Sequence, residues 1–211
     1  NDFGRDLLPF VISNNYRVFS YHFPGYWADV GNIQAYWEAN MSLLAEEPAL
    51  DLYDTGWVVH TRSMDKAPVL VGAKAKVADN ILSNGCQIEG EVSHSVISSG
   101  VIVEEGAVVR NSILMRNVHI QSGCVIDRAI IDRDCLIGAG SQVGVGEDIV
   151  PNAELPSVLN TGLTVIGRAR RLALGTVVGR SVIIHPTHGV KAAPEVSGEI
   201  ASGASVGRAE R

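Results

Sequence analysis

The sequence lacks any apolar stretch near the roughly 20 residues that a membrane-spanning helix needs, and no apolar segment of a secretory signal opens it. Basic charge is also low, because 17 Lys and Arg stand against 23 Asp and Glu, a formal net charge of −6. An acidic chain has no general attraction for nucleic acid or for an anionic membrane. We therefore expect a cytoplasmic protein with neither of these as a partner.

Tryptophan and tyrosine are missing from most of the chain, since all three tryptophans and all five tyrosines precede residue 60. Within that aromatic segment, apolar residues follow helical spacing between Gly31 and Glu47, with Asn32 as a suitable N-cap and Pro48 as a terminator. Sixty residues with one helix are too few to close a core. We divide the chain into residues 1–60, interpreted as a piece of a larger domain, and residues 61–211.

A repeat of about six residues fills the middle of the chain. Aliphatic residues recur in steps of five or six, and any three consecutive steps cover 17 residues. They are Ile97, Val103, Val109, Leu114, Ile120, Ile126, Ile131, Ile137 and Val143. This period fits a chain that turns a corner after each short strand and stacks on itself every third strand. The repeat predicts a parallel β-helix with three faces, and it resumes at 166–184 and 200–206.

The positions two residues before these aliphatics hold small or medium side chains. Residues i and i−2 of a strand point to the same side, so both sets are expected inside the β-helix. Cys86, Cys124 and Cys135 occupy such small positions, which predicts buried structural thiols, because free cysteine packs as a small hydrophobe. Gly138 and Gly144 directly follow interior residues, where a tight corner suits glycine.

Motifs in the first sixty residues carry a resemblance to a known family. They are Asp2–Pro9, Gly25–Asn32, Tyr36–Met41 and Leu50–Asp54. In this order, followed by the repeat, they resemble ADP-glucose pyrophosphorylase, also called glucose-1-phosphate adenylyltransferase. The resemblance implies that residues 1–60 are the C-terminal end of an α/β sugar-nucleotidyltransferase domain. It also implies that residues 61–211 form a left-handed parallel β-helix for regulation and oligomerisation, so that the chain is mainly β.

The same resemblance implies a nucleotidyltransferase that joins glucose 1-phosphate to ATP and releases pyrophosphate, forming ADP-glucose for glycogen or starch synthesis. Carried over by motif, Asp29 is a catalytic residue and Mg²⁺ ligand, and Asp2, Phe3 and Trp27 line the glucose 1-phosphate pocket. The glycine-rich nucleotide loop of the family has no counterpart here, so we expect the chain alone to be inactive. The resemblance further implies a homotetramer.

Six arginines near the end of the repeat are candidates for a regulatory anion site. They are Arg128, Arg133, Arg168, Arg170, Arg171 and Arg180. The repeat puts Arg170 at a small interior position, where an unpaired guanidinium would be very costly. We favour a local slip in register that returns Arg170 to solvent. The alternative is an anion site, because the arginine fork suits phosphate, and the resemblance suggests a phosphorylated sugar effector.

Two other interpretations stay open. The chain fits a regulatory or oligomerisation β-helix without catalysis, and six-residue β-helices also occur in acyltransferases that use a histidine base. The candidate bases are His94, His119, His185 and His188. The alternation places His94 and His119 on the outside, which predicts solvated histidines.

Overall fold

The computed structural model describes residues 2–60, 65–187 and 194–207. A π-helical turn (Phe3–Leu7) continues into α1 (Leu8–Ser13), and α2 (Ile33–Met41) ends in a 3₁₀ turn (Ser42–Leu44). Asn32 caps α2 as predicted, since its Oδ1 accepts from the Ala35 N–H at 2.8 Å. The helical segment stops before Pro48, because the backbone is already extended at Ala45.

Short strands fill the rest of the described chain. In order they are β1 (Leu70–Val71), β2 (Lys76–Leu82), β3 (Gln87–Ile88), β4 (Glu91–Ile97), β5 (Ile102–Val103), β6 (Val108–Arg110), β7 (Ile113–Leu114), β8 (His119–Ile120), β9 (Val125–Asp127), β10 (Ala129–Ile131), β11 (Leu136–Ile137), β12 (Gln142–Val143), β13 (Thr164–Ile166), β14 (Arg171–Leu172), β15 (Val177–Val178), β16 (Ile183–Ile184), β17 (Glu199–Ile200) and β18 (Ser205–Val206).

Every pairing between these strands is parallel, and the strands form three faces. Face A contains β1, β3, β5, β8, β11 and β14. The longer β2 and β4 bend from face B into face C. Face B continues through β6, β9, β12, β15 and β17, and face C through β7, β10, β13, β16 and β18. The three-faced parallel β-helix predicted from the repeat is therefore confirmed.

The interior of the β-helix contains the residues that the repeat selected. All nine aliphatics of the repeat, Ile97 to Val143, are fully buried. The small positions before them are buried as well. Cys124 and Cys135 at two of these positions, and Cys86 two residues before the buried Ile88, are buried free thiols, as predicted. Burial raises the pKa of Cys86 and Cys124 and raises that of Cys135 to about 12.

Left-handed backbone marks the corners of the β-helix. Asp79, His94, Asn111 and Arg128 follow one another between faces B and C, each with a φ between 45° and 56°. Gly106, Gly123, Gly140 and Gly175 do the same between faces A and B. Gly144, predicted at a tight corner, also has a positive φ of 73°. Gly138 is required for space instead, because a Cβ there would lie 2.6 Å from the Leu172 carbonyl oxygen.

A long excursion interrupts the repeat between faces B and C. The step from Val143 to Ile166 takes 23 residues, where the equivalent step from Ile126 to Ile131 takes 5. We call the intervening residues 144–163 the bridging loop. Asn152, fully buried, anchors this loop by donating to the carbonyls of Ser181, Gly203 and Ala204.

Helix α2 packs on the outer side of face C. Met41 of the helix shares an apolar cluster with Ile113 and Ile130 of face C and with Leu159 and Leu163 of the bridging loop. All five side chains are buried. The first sixty residues and the β-helix are therefore joined by a packed apolar contact.

Candidate functional site

Asp2 and Phe3 lie at the start of the first helical turn. The Asp2 Oδ1 accepts from the Arg5 N–H at 2.7 Å, and the Asp2 N–H donates to Asp6 Oδ2 at 2.8 Å. Phe3 is largely exposed. Both residues line a surface pocket that is completed by Asp6, Leu7 and Phe10. A carboxylate and an aromatic face thus share one concavity, an arrangement that can bind hydroxyl groups and ring carbons of a sugar.

Trp27 and Asp29 lie in the exposed segment before α2. Trp27 lines a different pocket, together with Asn40, Leu43 and Leu50. The Asp29 Oδ1 accepts from the Gly31 N–H at 2.9 Å, which closes a turn immediately before the cap of α2. The described residues do not bring Trp27 into the pocket of Asp2 and Phe3. Asp29 lines neither pocket, and its carboxylate faces solvent.

No group of three or more His, Cys, Asp or Glu side chains that could hold a metal ion occurs within the described ranges. Asp29 can still contribute one carboxylate oxygen, since only its Oδ1 is used in the turn. Mg²⁺ commonly takes one or two carboxylates and completes its shell with water and substrate phosphates. A single exposed carboxylate therefore fits a Mg²⁺ ligand.

The register of the repeat does not slip at Arg170, so the interpretation that we favour from the sequence is wrong. The pairing of Arg171 with Leu136 and of Leu172 with Ile137 keeps the register, and Arg170 is only 4% exposed. Its Nε donates to the His185 carbonyl at 2.5 Å and its Nη2 to the Gly207 carbonyl at 2.9 Å. Desolvation lowers the pKa of this guanidinium. Backbone carbonyls of the following coils thus accept the hydrogen bonds of this guanidinium. The sequence predicts that either solvent or an anion does so.

The other five arginines occupy different edges of the β-helix. Arg128 and Arg180 donate to the backbone carbonyls of Thr161 and Gly146 in the bridging loop. Arg171 is exposed and lies 3.4 Å from Glu195. Arg133 and Arg168 occupy adjacent coils between faces C and A, where the Ala169 N–H donates to the Arg133 carbonyl. The arginines of the predicted group are therefore divided between two corners, the outer side of face A and the interior.

Sequence reasoning missed an ionic network at the base of the bridging loop. Asp127, 8% exposed, accepts from Asn111 Nδ2 at 3.1 Å and lies 3.4 Å from Arg180 and 3.5 Å from Arg110. Arg110 and Asn111 are consecutive residues of one coil, and Arg180 belongs to a later coil. The repeat gives no signal for this contact, since Asp127 stands at an ordinary strand end; only the long step after Val143 marks the region as unusual.

Three of the four candidate histidines lie next to carboxylates. His94 is 2.5 Å from Asp79, His119 is 2.6 Å from Glu104, and His185 is 2.9 Å from Glu154. His94 and His119 face outward, as predicted. His188 lies outside the described residues. Each of these three histidines is already engaged by one acidic side chain, and none lines the pockets that contain Asp2 or Trp27.

None of the helices described in the chain is long and apolar enough to cross a membrane.

Comparison with known proteins assigns both parts of the chain. Residues 1–46 match the nucleotidyl transferase family, and residues 69–166 match the GlmU-like C-terminal hexapeptide family. A glucose-1-phosphate adenylyltransferase of Thermomicrobium roseum is 48% identical, with 88% of this chain and 43% of the relative covered. Those of Acetivibrio thermocellus and Fervidobacterium nodosum are 34% and 37% identical, covering 88% and 87% of this chain and 43% and 44% of the relatives.

The chain thus spans less than half the length of these curated relatives. Within this chain, residues 1–46 and most of the repeat, residues 69–166, both match family models. By sequence, the chain therefore belongs with the glucose-1-phosphate adenylyltransferases.

Proposed function

We propose that this chain is part of an enzyme that transfers the adenylyl group of ATP to glucose 1-phosphate, releasing pyrophosphate. The observation that carries the proposal is the joint match of residues 1–46 to nucleotidyl transferases and of 88% of the chain to a glucose-1-phosphate adenylyltransferase. The packing of α2 on face C supports it, because it makes the two matched segments one structure. We also propose that the product, ADP-glucose, is used for glycogen or starch synthesis and that the enzyme is cytoplasmic.

In this proposal Asp29 is the residue of the chain that holds Mg²⁺. When bound, the ion supplies positive charge that stabilises the phosphate oxygens during the transfer. Asp2, Phe3 and Trp27 contact the sugar phosphate. Because Trp27 lies in a separate concavity from Asp2 and Phe3, the proposal requires that a single sugar phosphate reach both concavities or that the two move together when it binds.

The test uses a chimera in which residues 2–207 replace the matching segment of the Thermomicrobium roseum relative. We expect the chimera to form ADP-glucose from ATP and glucose 1-phosphate with Mg²⁺, and the 211-residue chain alone to form none. An inactive chimera with an intact circular dichroism spectrum would contradict the proposed reaction. Turnover by the chain alone would contradict the assignment of the nucleotide loop to another segment.

The role of Asp29 is tested by Asp29→Asn in the chimera. We expect kcat to fall at least about a hundredfold, since a neutral amide binds Mg²⁺ poorly. Asp54→Asn is the matched control, because Asp54 closes the same kind of exposed turn by accepting from the Gly56 N–H at 2.7 Å. Equal kcat in the two variants would remove Asp29 from the metal site.

A regulatory role of the arginines is a second part of the proposal. Arg168 and Arg171 are the exposed members of the six, and arginine suits phosphate. In the chimera, Arg168→Ala with Arg171→Ala should weaken the response to fructose 1,6-bisphosphate, fructose 6-phosphate or inorganic phosphate. If the activation or inhibition constants for all three compounds equal those of the parent chimera, these arginines are only part of a solvated surface. We also propose a homotetramer, which light scattering on the chimera can measure.

A further inference from the structure

Helix α2 is held on the β-helix by few polar contacts. Trp37 Nε1 donates to the Asn111 carbonyl at 2.9 Å, and Gln34 Oε1 accepts from Thr161 Oγ1 at 2.5 Å. The first contact reaches the corner between faces B and C, and the second reaches the bridging loop. The apolar cluster around Met41 is also contacted by Ile33 and Tyr36, so apolar packing runs along the helix to the end nearest Asp29. The corner and the bridging loop add the polar contacts that hold this end of α2.

Arg128 connects these two supports. Its guanidinium carbon lies 4.9 Å from the centre of the Trp37 ring, within the range of a cation–π contact. Its Nη2 donates to the Thr161 carbonyl at 3.2 Å. One half-buried side chain thus contacts both α2 and the bridging loop, and Thr161 itself reaches back to α2 through Gln34.

The backbone of Arg128 gives an independent reason to assign a role to its side chain. Its φ of 46° is left-handed. The preceding residues of the same corner include Asp79 and Asn111, types that tolerate this conformation because their short side chains bond locally. Arginine has no such compensation, and a strained position that keeps an unsuitable residue points to a function of its side chain.

We propose that Arg128 is a positioning residue that locks the bridging loop to α2 and so fixes the Asp29 turn relative to the β-helix. Asn32 caps α2 and Asp29 bonds to Gly31, so the turn follows the start of the helix. The consequence for catalysis rests on the proposed function; the locking of α2 does not.

The first test measures amide hydrogen exchange in the 211-residue chain with Arg128→Asn. Asparagine suits the left-handed backbone, so strands β9 and β10 should keep their exchange rates. Residues 33–41 should exchange about tenfold faster, because a cation–π contact and a charged hydrogen bond to the loop are lost. Ala169→Asn is the matched control, since Ala169 is exposed and has a φ of 57° at another corner.

Arg128→Lys keeps a charge over Trp37 but loses the fork, and it should give a smaller acceleration. It also preserves the test if the asparagine variant does not fold. Exchange in α2 within twofold of wild type in both variants would overturn the proposal. An equal acceleration in α2 and in all strands would also overturn it, since it would show a general loss of stability.

The second test measures kinetics in the chimera. Arg128→Asn should lower kcat about fivefold or more at saturating ATP and glucose 1-phosphate, with partial rescue in Arg128→Lys and none of the effect in Ala169→Asn. Unchanged kcat together with faster exchange in α2 would overturn the positioning role. An inactive parent chimera would contradict the proposed function, and the exchange measurement would still decide whether Arg128 locks α2.

Discussion

At the scale of single residues, the small interior positions show how one backbone geometry accepts different side chains. The hydroxyls of Ser95, Ser112 and Ser141 donate to backbone carbonyls at distances of 2.7 to 3.0 Å. Cys135 Sγ lies 3.2 Å from the Gly167 carbonyl in the same kind of position. A small polar atom can be buried there because the strand ends present carbonyl acceptors, which satisfies its hydrogen bond.

Cys135 provides a prediction about alkaline pH. Its pKa rises from 9.0 to about 12 because burial disfavours the thiolate, so the folded state keeps a proton that the unfolded state loses. The stability that this thiol contributes is full below about pH 9 and is lost as the pH rises towards 12. Cys135→Ser fits the position without this titration. When the pH is raised from 8 to 10.5, the free energy of unfolding of the Cys135→Ser variant should fall by about 1–2 kcal/mol less than that of wild type.

Urea unfolding of both proteins at the two pH values measures this difference. Cys86 and Cys124 are present in both proteins and cancel in the comparison. An equal loss of stability in wild type and variant would show that Cys135 ionises normally in the folded state.

Asp127 provides a prediction about the ionic network. Asp127→Ala leaves Arg180, whose side chain is 17% exposed, without its carboxylate, and should lower the free energy of unfolding by about 2–3 kcal/mol. Glu105→Ala is the control, because the side chains of the Lys74–Glu105 pair are 81% and 69% exposed, so the loss of this pair should leave the free energy of unfolding nearly unchanged. Chemical denaturation measures both. Equal small effects would make the Asp127 network energetically neutral.

At the scale of elements, two glycines near the corner after β11 are required for different reasons. A Cβ at Gly138 would lie 2.6 Å from the Leu172 carbonyl and 2.7 Å from the Ala173 carbonyl carbon, so the next coil must move. At Gly140, where φ is 69°, a Cβ would meet nothing within 4 Å, and only backbone strain opposes it. The two positions separate steric exclusion from conformational preference within one turn.

We predict that Gly138→Ala destabilises the protein by more than about 3 kcal/mol and Gly140→Ala by only about 1 kcal/mol. Thermal unfolding of the two variants side by side measures the contrast. A Gly140→Ala effect as large as that of Gly138→Ala would mean that the left-handed corner, rather than the contact between coils, limits the substitution.

The repeat could be predicted because its physical cause is local. Each interior aliphatic residue, such as Ile120, marks one short strand and the corner that follows it. The period of these residues is therefore enough to predict the three faces and the buried core. Arg170 could not be predicted, because its partners are carbonyls of His185 and Gly207 in later coils, and backbone acceptors leave no mark in the sequence. The anchoring of the bridging loop could not be predicted for the same reason, since the Asn152 amide donates to backbone carbonyls of later coils.

The candidate site was predictable only through resemblance. Asp29 and Asp2 are ordinary turn and cap residues in the structure, and nothing in their spacing separates them from Asp54. Only the helix itself, and not its partners, could be predicted for the docking of α2 on the β-helix. The helical spacing indicated an apolar face, whereas its partners on face C and the contact of Arg128 with Trp37 depend on residues more than seventy positions away.

At the scale of the whole molecule, the β-helix is a stack in which the strands of each coil pair only with strands of neighbouring coils. A central coil is covered on both sides, and Val109 is fully buried. The first described coil is covered on one side only, and Leu70 and Val71 are 55% and 48% exposed. In the last described coil Val206 is half-buried. Stability in such a stack is set by contacts between neighbouring coils and decreases towards the ends.

The same substitution at two levels of the stack tests this. Val109→Ala should lower the global free energy of unfolding by about 2–3 kcal/mol, because it opens a cavity between coils that are both covered. Val206→Ala should cost less than about 1 kcal/mol globally and should accelerate amide exchange only in β16 and β18, since the last coil can open without disturbing the others. Urea unfolding together with exchange mass spectrometry separates the two effects. Acceleration throughout the molecule by Val206→Ala would show that the coils unfold as one cooperative unit, with the last coil as stable as the centre.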